Sequence, residues 1–258
     1  MTWRFLNTGE RSGAFNMALD EQLAIDLRAG RGSPTIRLFG WKPWAVSLGF
    51  NQSEDDIDNE KCDRDGIDVV RRPTGGRAIL HARELTYSVA MFSTGKSVST
   101  VYHQIGCALV RGLRLFGVNA ELAKPTRAKP VSTSRGQVPC FASVGRYEIC
   151  VDGRKLVGSA QRRYGGGSEG DVVLQHGSIL IGPEHRKLAE YIVSERGGSS
   201  EEMALAMGER TIEIEHIVGG EIELEAMSDC IKRGFEEEWE ISLVEEALNE
   251  VEAVPAEP

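Results

Sequence analysis

Cys140, Cys150 and Lys155 are the residues of this chain best suited to covalent chemistry. A thiolate is a strong nucleophile, and a neighbouring ammonium lowers the thiol pKa and raises the thiolate fraction. The stretch CFASVGRYEICVDGRKLVGSAQRR contains all three, with Asp152-Gly153 between Cys150 and Lys155. Asp-Gly favours a two-residue hairpin turn, because both central positions need positive φ. Such a turn pairs Val151 with Arg154, and hence Cys150 with Lys155 on one sheet face. Local geometry therefore favours Cys150. A six-residue connection can nevertheless span about 20 Å, enough to fold the Cys140 thiol back over Lys155. The pattern alone leaves both cysteines open.

A second cluster, RRPTGGRAILH at 71–81, sets positive charge beside minimal bulk. Gly75 and Gly76 can bring backbone N–H groups against a ligand, and Arg72 or Arg77 can offer guanidinium donors to a carboxylate, carbonyl or phosphate. Neither the dinucleotide fingerprint nor the phosphate-binding P-loop spacing occurs in this stretch. Beyond Lys155, the small residues Gly158, Ser159 and Ala160 leave room for a slender acyl chain. His81 and His176 each follow an apolar run, a setting that suits hydrogen-bonding side chains of the site lining.

These residues need elements to hold them. SGAFNMALDEQLAIDLRAG reads as an amphipathic helix, with Phe15, Leu19, Leu23 and Leu27 four apart. PTIRLF, WAVSLG, IDVV, ELTYSVAMF, RYEICV, RKLVGSAQRR and DVVLQHGSILIG read as strands. The spacing predicts a second long helix from about Thr100 to Phe116, a surface helix within SEDDIDNEKCDRDG, and helices at HRKLAEYIVSE and EIELEAMSDCIKRGFEEEWE. RRYGGGSEGD, 162–171, reads as a floppy connection. Strands in hairpin succession with helices between them indicate an α+β fold. The expectation is one domain over 1–258, with an acidic helical C-terminal segment from about 184.

The chain of 258 residues has a formal net charge of −9, which argues against a nucleic-acid binder. No apolar run is long enough for a membrane span, and the first residues lack a secretory signal, so a cytoplasmic location is expected. The five cysteines lack metal-ligand spacing, and no metal site is indicated. Against the acidic background, TRAKPVSTSRGQ carries only positive side chains, Arg127, Lys129 and Arg135, a pattern suited to an anionic partner.

RRPTGGRAILHARELTYSV, RKLVGSAQRR and LQHGSILI, in that order, resemble the lipoate–protein ligase and octanoyltransferase family, which is related to biotin protein ligases. The resemblance runs from the FNMALDE helix to about residue 182. It implies a mixed, largely antiparallel sheet flanked by helices, with an acyl tunnel bounded by the arginine-glycine turn and the lysine strand. Ligases of the family typically carry Asn-Asp in the loop before that strand. Cys140-Phe141 stands there instead, as in the cysteine-dependent octanoyltransferases of the Gram-positive type, and Arg77 stands where the ligases and some transferases have Gly. The resemblance makes Cys140 the acyl-thioester position and Lys155 its activating partner. It assigns Arg72, Thr74, Gly75, Gly76, Arg77, His81, Gly158, Ser159, Ala160, His176 and Gly177 to substrate binding. The implied reaction moves octanoate from octanoyl-acyl carrier protein to a lysine of a lipoyl domain, such as glycine-cleavage H protein or a 2-oxoacid dehydrogenase E2, with no cofactor. The alternatives are an ATP-dependent lipoate–protein ligase and an octanoyl amidotransferase, whose loop more often reads Cys-Pro-Gly.

Overall fold

Successive side chains of the central strands divide between two cores. On β6 (Glu84–Phe92) and β10 (Gly170–Leu180), Val89, Met91 and Val173 join the larger apolar cluster. Ala90, Phe92, Val172 and Leu174 join a second cluster. This is the two-residue period of a strand with both faces covered. The computed structural model describes residues 2–123, 148–167, 170–193, 199–250 and 252–253.

The remaining strands are β1 (Trp3–Arg11), β2 (Thr35–Trp41), β3 (Ala45–Leu48), β4 (Asp68–Arg71), β5 (Ile79–His81), β7 (Glu121–Leu122), β8 (Ile149–Val151), β9 (Arg154–Gly167) and β11 (Leu243–Glu245). An eight-stranded sheet runs β11-β1-β2-β6-β10-β9-β8-β7, and a three-stranded sheet runs β4-β3-β5. In the large sheet only the β11–β1 and β1–β2 pairs are parallel. The fold is thus α+β with a mostly antiparallel sheet, as the strand pattern implies.

Helix α1 (Gly13–Arg28) is capped by Ser12, whose Oγ accepts from the Phe15 N–H at 3.3 Å. Its Leu19, Leu23 and Leu27 fill the second cluster. Helix α3 (Val98–Leu115) begins at its Ser97 cap and sends Val101, Ile105, Leu109 and Leu113 into the larger core. Across that core lies α6 (Leu224–Trp239), which contributes Met227, Ile231 and Phe235.

Three local expectations change. The span 162–171 is largely strand: β9 reaches Gly167 and β10 resumes at Gly170, with Val172 opposite Tyr164. Buried Tyr164 and ladder hydrogen bonds outweigh the freedom of the glycines. The helix expected within 53–66 is a 3-10 turn at Glu54–Asp56 followed by the short α2 (Asn59–Arg64). The helix expected near 185–195 is a 3-10 helix, Pro183–Glu190. Helices α4 (Ser200–Arg210) and α5 (Ile214–Val218) complete the chain. No helix among the described residues is long and apolar enough to cross a membrane.

Helices α3 and α6 meet through glycines. A Cβ added at Gly234 would lie 2.6 Å from the Ala108 carbonyl oxygen and from Gly112 Cα. Backbone atoms cannot move aside as a side-chain tip can, so the helices would have to separate. Gly234→Ala is therefore expected to destabilise the protein by about 1–3 kcal/mol, although alanine gains ~1 kcal/mol of helix propensity over glycine. Urea unfolding of parent and variant checks this. An unchanged or raised midpoint would show that the glycine contact does not set the helix separation.

Candidate functional site

The register around Lys155 decides which way its ammonium points. Asp152 and Gly153 both have positive φ, and the turn pairs Val151 with Arg154 and Cys150 with Lys155. The ladder then shifts, so that Ile149 opposes Val157. The extra β9 residue forms a bulge that lets Leu156 and Val157 both enter the larger core. Lys155 stays on the other face with Cys150, the face that carries Gly158 and Ala160. Its side chain is 1% exposed, and its Nζ donates to the Glu148 carboxylate.

This setting separates Cys150 from an activated nucleophile. The Cys150 thiol is buried, and burial, reinforced by the nearby Glu148 carboxylate, pushes its pKa up to about 11 despite Lys155. Cys140 and the basic segment with Arg127, Lys129 and Arg135 lie outside the described residues.

Beyond Lys155 a narrow slot lies between the two sheets, with a cavity volume of only about 20 Å³. Seven residues singled out from the sequence border it: Arg72, His81, Gly158, Ser159, Ala160, His176 and Gly177. Met17, Trp41, Ile79, Thr86 and Ser178 complete the lining and were not found from the sequence. Trp41 stacks on His81 at a centroid distance of 4.0 Å.

The two arginines of the turn play different parts. Arg72 is 2% exposed and spends its guanidinium on the chain itself: Nη1 donates to the Ser47 carbonyl and hydroxyl, Nε and Nη2 to the Gly75 carbonyl, and Nη2 to the Arg77 carbonyl at 2.7 Å. It braces the turn. Gly75, Gly76 and Arg77 are exposed, and among the described residues the Arg77 guanidinium makes no hydrogen bond or ion pair. Gly76 has φ of 102°, and Gly49 lies so close to its carbonyl that no side chain fits there. Gly177 has a similar use. It pairs with Tyr87 on one side and Ser159 on the other, and its lack of bulk lets the Tyr87 hydroxyl meet Ser159 Oγ at 2.7 Å.

Both histidines are held by buried carboxylates. His176 Nδ1 is 3.2 Å from Asp20 Oδ2, and its Nε2 is 2.6 Å from Thr74 Oγ1. His81 Nδ1 is 2.8 Å from Glu84 Oε1, and its Nε2 is 2.7 Å from Ser47 Oγ. Burial opposes ionisation of Asp20, but Arg37 and the hydrogen bonds from His176 and Ser88 outweigh it and hold the carboxyl below its ordinary range. Glu84 is likewise buried and is held low by His81, Thr86 and Ser178. Asp20 and Glu84 were missed from the sequence. The available signal was an acid at the helical spacing of the buried α1 stripe, and an arginine, Arg37, inside the apolar strand PTIRLF.

Residues 12–236 match the model of the lipoyl protein ligase A/B catalytic domain. The chain belongs to that family. Among curated members of the lipoyl ligase family, it is 38% identical to octanoyltransferase LipM of Kyrpidia tusciae, over 92% of this chain and 86% of the relative. It is 34% identical to octanoyltransferase LipM of Bacillus subtilis, over 97% and 91%. The fold is that of a bipartite lipoate protein ligase from Thermoplasma acidophilum, with a TM-score of 0.77 at 20% identity over 98% of this chain and 89% of that one. A lipoate–protein ligase A solved with ATP gives 0.74 at 20% identity, over 98% and 92%.

Burial holds His176 below its ordinary pKa of 6.5, against the pull of Asp20. The unfolded chain therefore takes up a proton that the folded chain refuses, and stability falls as pH drops below about 6.5. For one such group the slope reaches ~1.4 kcal/mol per pH unit. Unfolding midpoints measured from pH 8 to 5 are expected to fall in the parent and to fall less steeply in His176→Gln. Equal slopes in the two proteins would contradict this account of the buried ring.

Proposed function

We propose that this protein is an octanoyltransferase of protein lipoylation, acting in the cytoplasm. It takes octanoate from octanoyl-acyl carrier protein and delivers it to a lysine of a lipoyl domain, such as glycine-cleavage H protein or a 2-oxoacid dehydrogenase E2. The carrying observation is the 34–38% identity, over more than nine-tenths of the chain, to relatives named octanoyltransferase LipM. The apolar lining of the narrow slot by Met17, Trp41, Ile79 and Ala160 supports an acyl substrate.

In the first step the Cys140 thiolate attacks the donor thioester carbonyl. A new C–S bond forms, the donor C–S bond breaks, and the carrier thiolate leaves and takes up a proton. In the second step the acceptor amine attacks the enzyme thioester. A C–N bond forms, the C–S bond breaks, the amine loses a proton and the Cys140 thiolate is regenerated. Thioester energy drives amide formation, so the sequence of steps uses no ATP.

Lys155 serves as the cation that favours the thiolate, and its buried ammonium donates to the Glu148 carboxylate. The roles of Cys140 over Cys150 gain support from the Cys150 setting. With a pKa pushed up to about 11, its thiol is overwhelmingly protonated near neutral pH. Arg77 and the Gly75–Gly76 turn are exposed, and the turn is gripped by Arg72, which borders the slot, so an incoming donor arm would meet them.

Intact-mass measurement after mixing the protein with octanoyl carrier protein, without ATP, tests the reading. A gain of one octanoyl group, removed by hydroxylamine, is expected in the parent and in Cys150→Ala, and is expected to be lost in Cys140→Ala. Labelling that follows Cys150 would move the nucleophile to the hairpin. Activity seen only with free acid and ATP would make the protein a ligase.

A further inference from the structure

We infer that Asp20 and Glu84 are positioning residues for the exposed Gly75–Gly76–Arg77 turn, acting through the two histidines that line the slot. The inference rests on reading the slot as the acyl site. Two separate relays run from a buried carboxylate to this turn.

The first begins at Asp20 in α1, whose side chain has no exposure. A carboxylate can only accept, so His176 Nδ1 carries the hydrogen of that 3.2 Å contact. Burial keeps the ring neutral, which leaves Nε2 bare to accept from the Thr74 hydroxyl at 2.6 Å. Thr74 is fully buried, its carbonyl accepts from the Phe50 N–H at 2.9 Å, and the exposed turn starts at the next residue.

The second begins at Glu84, whose Oε1 accepts from His81 Nδ1 and from the Thr86 and Ser178 hydroxyls. His81 Nε2 meets Ser47 Oγ, and that oxygen in turn accepts from Arg72 Nη1 at 3.0 Å. Arg72 then grips the Gly75 and Arg77 carbonyls. The turn is therefore fixed at both ends, and each fixing passes through a ring in the slot wall. An acyl chain pressing on either ring moves the same hydrogen bonds that set the rim.

The test uses the full chain and two readouts. Nitrogen-15 NMR of the histidines is expected to show His176 as the neutral Nδ1–H tautomer. Thr74→Val keeps the shape and removes the hydroxyl. It is expected to shift the Gly75 and Gly76 amide resonances and to lower kcat/KM for transfer from a small octanoyl thioester about tenfold, chiefly through kcat. Thr74→Ser restores the amide positions and most of the rate. Ser47→Ala, which cuts the second relay, shifts the same amides. An Nε2–H tautomer overturns the inference, as do turn amides indifferent to both cuts in folded variants. If Thr74→Val does not fold, the parent tautomer and Ser47→Ala decide the matter. A parent protein that transfers no octanoate overturns the functional reading instead, and the NMR outcome still judges the relays.

Discussion

The buried ion pair of Asp20 and Arg37 is the contact on which the arrangement around the slot depends. Neither side chain has any exposure, and an arginine so placed is tolerable only when its donors are met. Nε donates to Thr8 of β1, Nη1 to the Asn16 carbonyl and Asp20 Oδ1, and Nη2 to Asn16 Oδ1. Asp20 then reaches Ser88 of β6 at 2.7 Å and His176 of β10. One polar node thus fixes α1 against four strands of the large sheet. Loss of one partner would strand the other charge at a cost of about 3–5 kcal/mol, whereas an apolar pair of equal volume would be nearly neutral. What the pair supplies is therefore orientation. It sets where His176 stands in the slot wall.

The same reasoning explains why two arginines five residues apart have opposite fates. Arg72 follows β4 and points between the sheets, where an unmet guanidinium would be costly, and the turn carbonyls meet it. Arg77 stands past the glycines on the outside, where water solvates it freely. Positive charge next to little bulk thus has two settings: one arginine shapes the turn from within, and the other stands exposed beyond it.

The elements were legible wherever the pattern was strong. The α1 stripe, the α3 stripe and the Asp152-Gly153 hairpin all follow from periodicity and turn chemistry, including the Cys150–Lys155 pairing. So were the small residues of the slot, since Gly158, Ala160 and Gly177 border it. The bulge after Lys155 was not legible, because a shift of one residue leaves no mark in composition. Nor were Asp20, Glu84 and Ser47, which lie on three separate elements and reach the slot histidines only when those elements pack. Glu148 lay in view, two residues before Cys150 and just ahead of β8, but nothing local shows that Lys155 donates to it.

That contact constrains where the chemistry can occur. An ammonium paired with a carboxylate acts at a distance as a dipole, so its field falls off faster than that of a lone charge. It favours a thiolate approaching the ammonium side and disfavours one on the carboxylate side. Cys150 lies two residues after Glu148, and burial together with that carboxylate outweighs the ammonium there. The pairing of Lys155 with Glu148 thus leaves the cysteine that faces Lys155 across the hairpin a poor nucleophile.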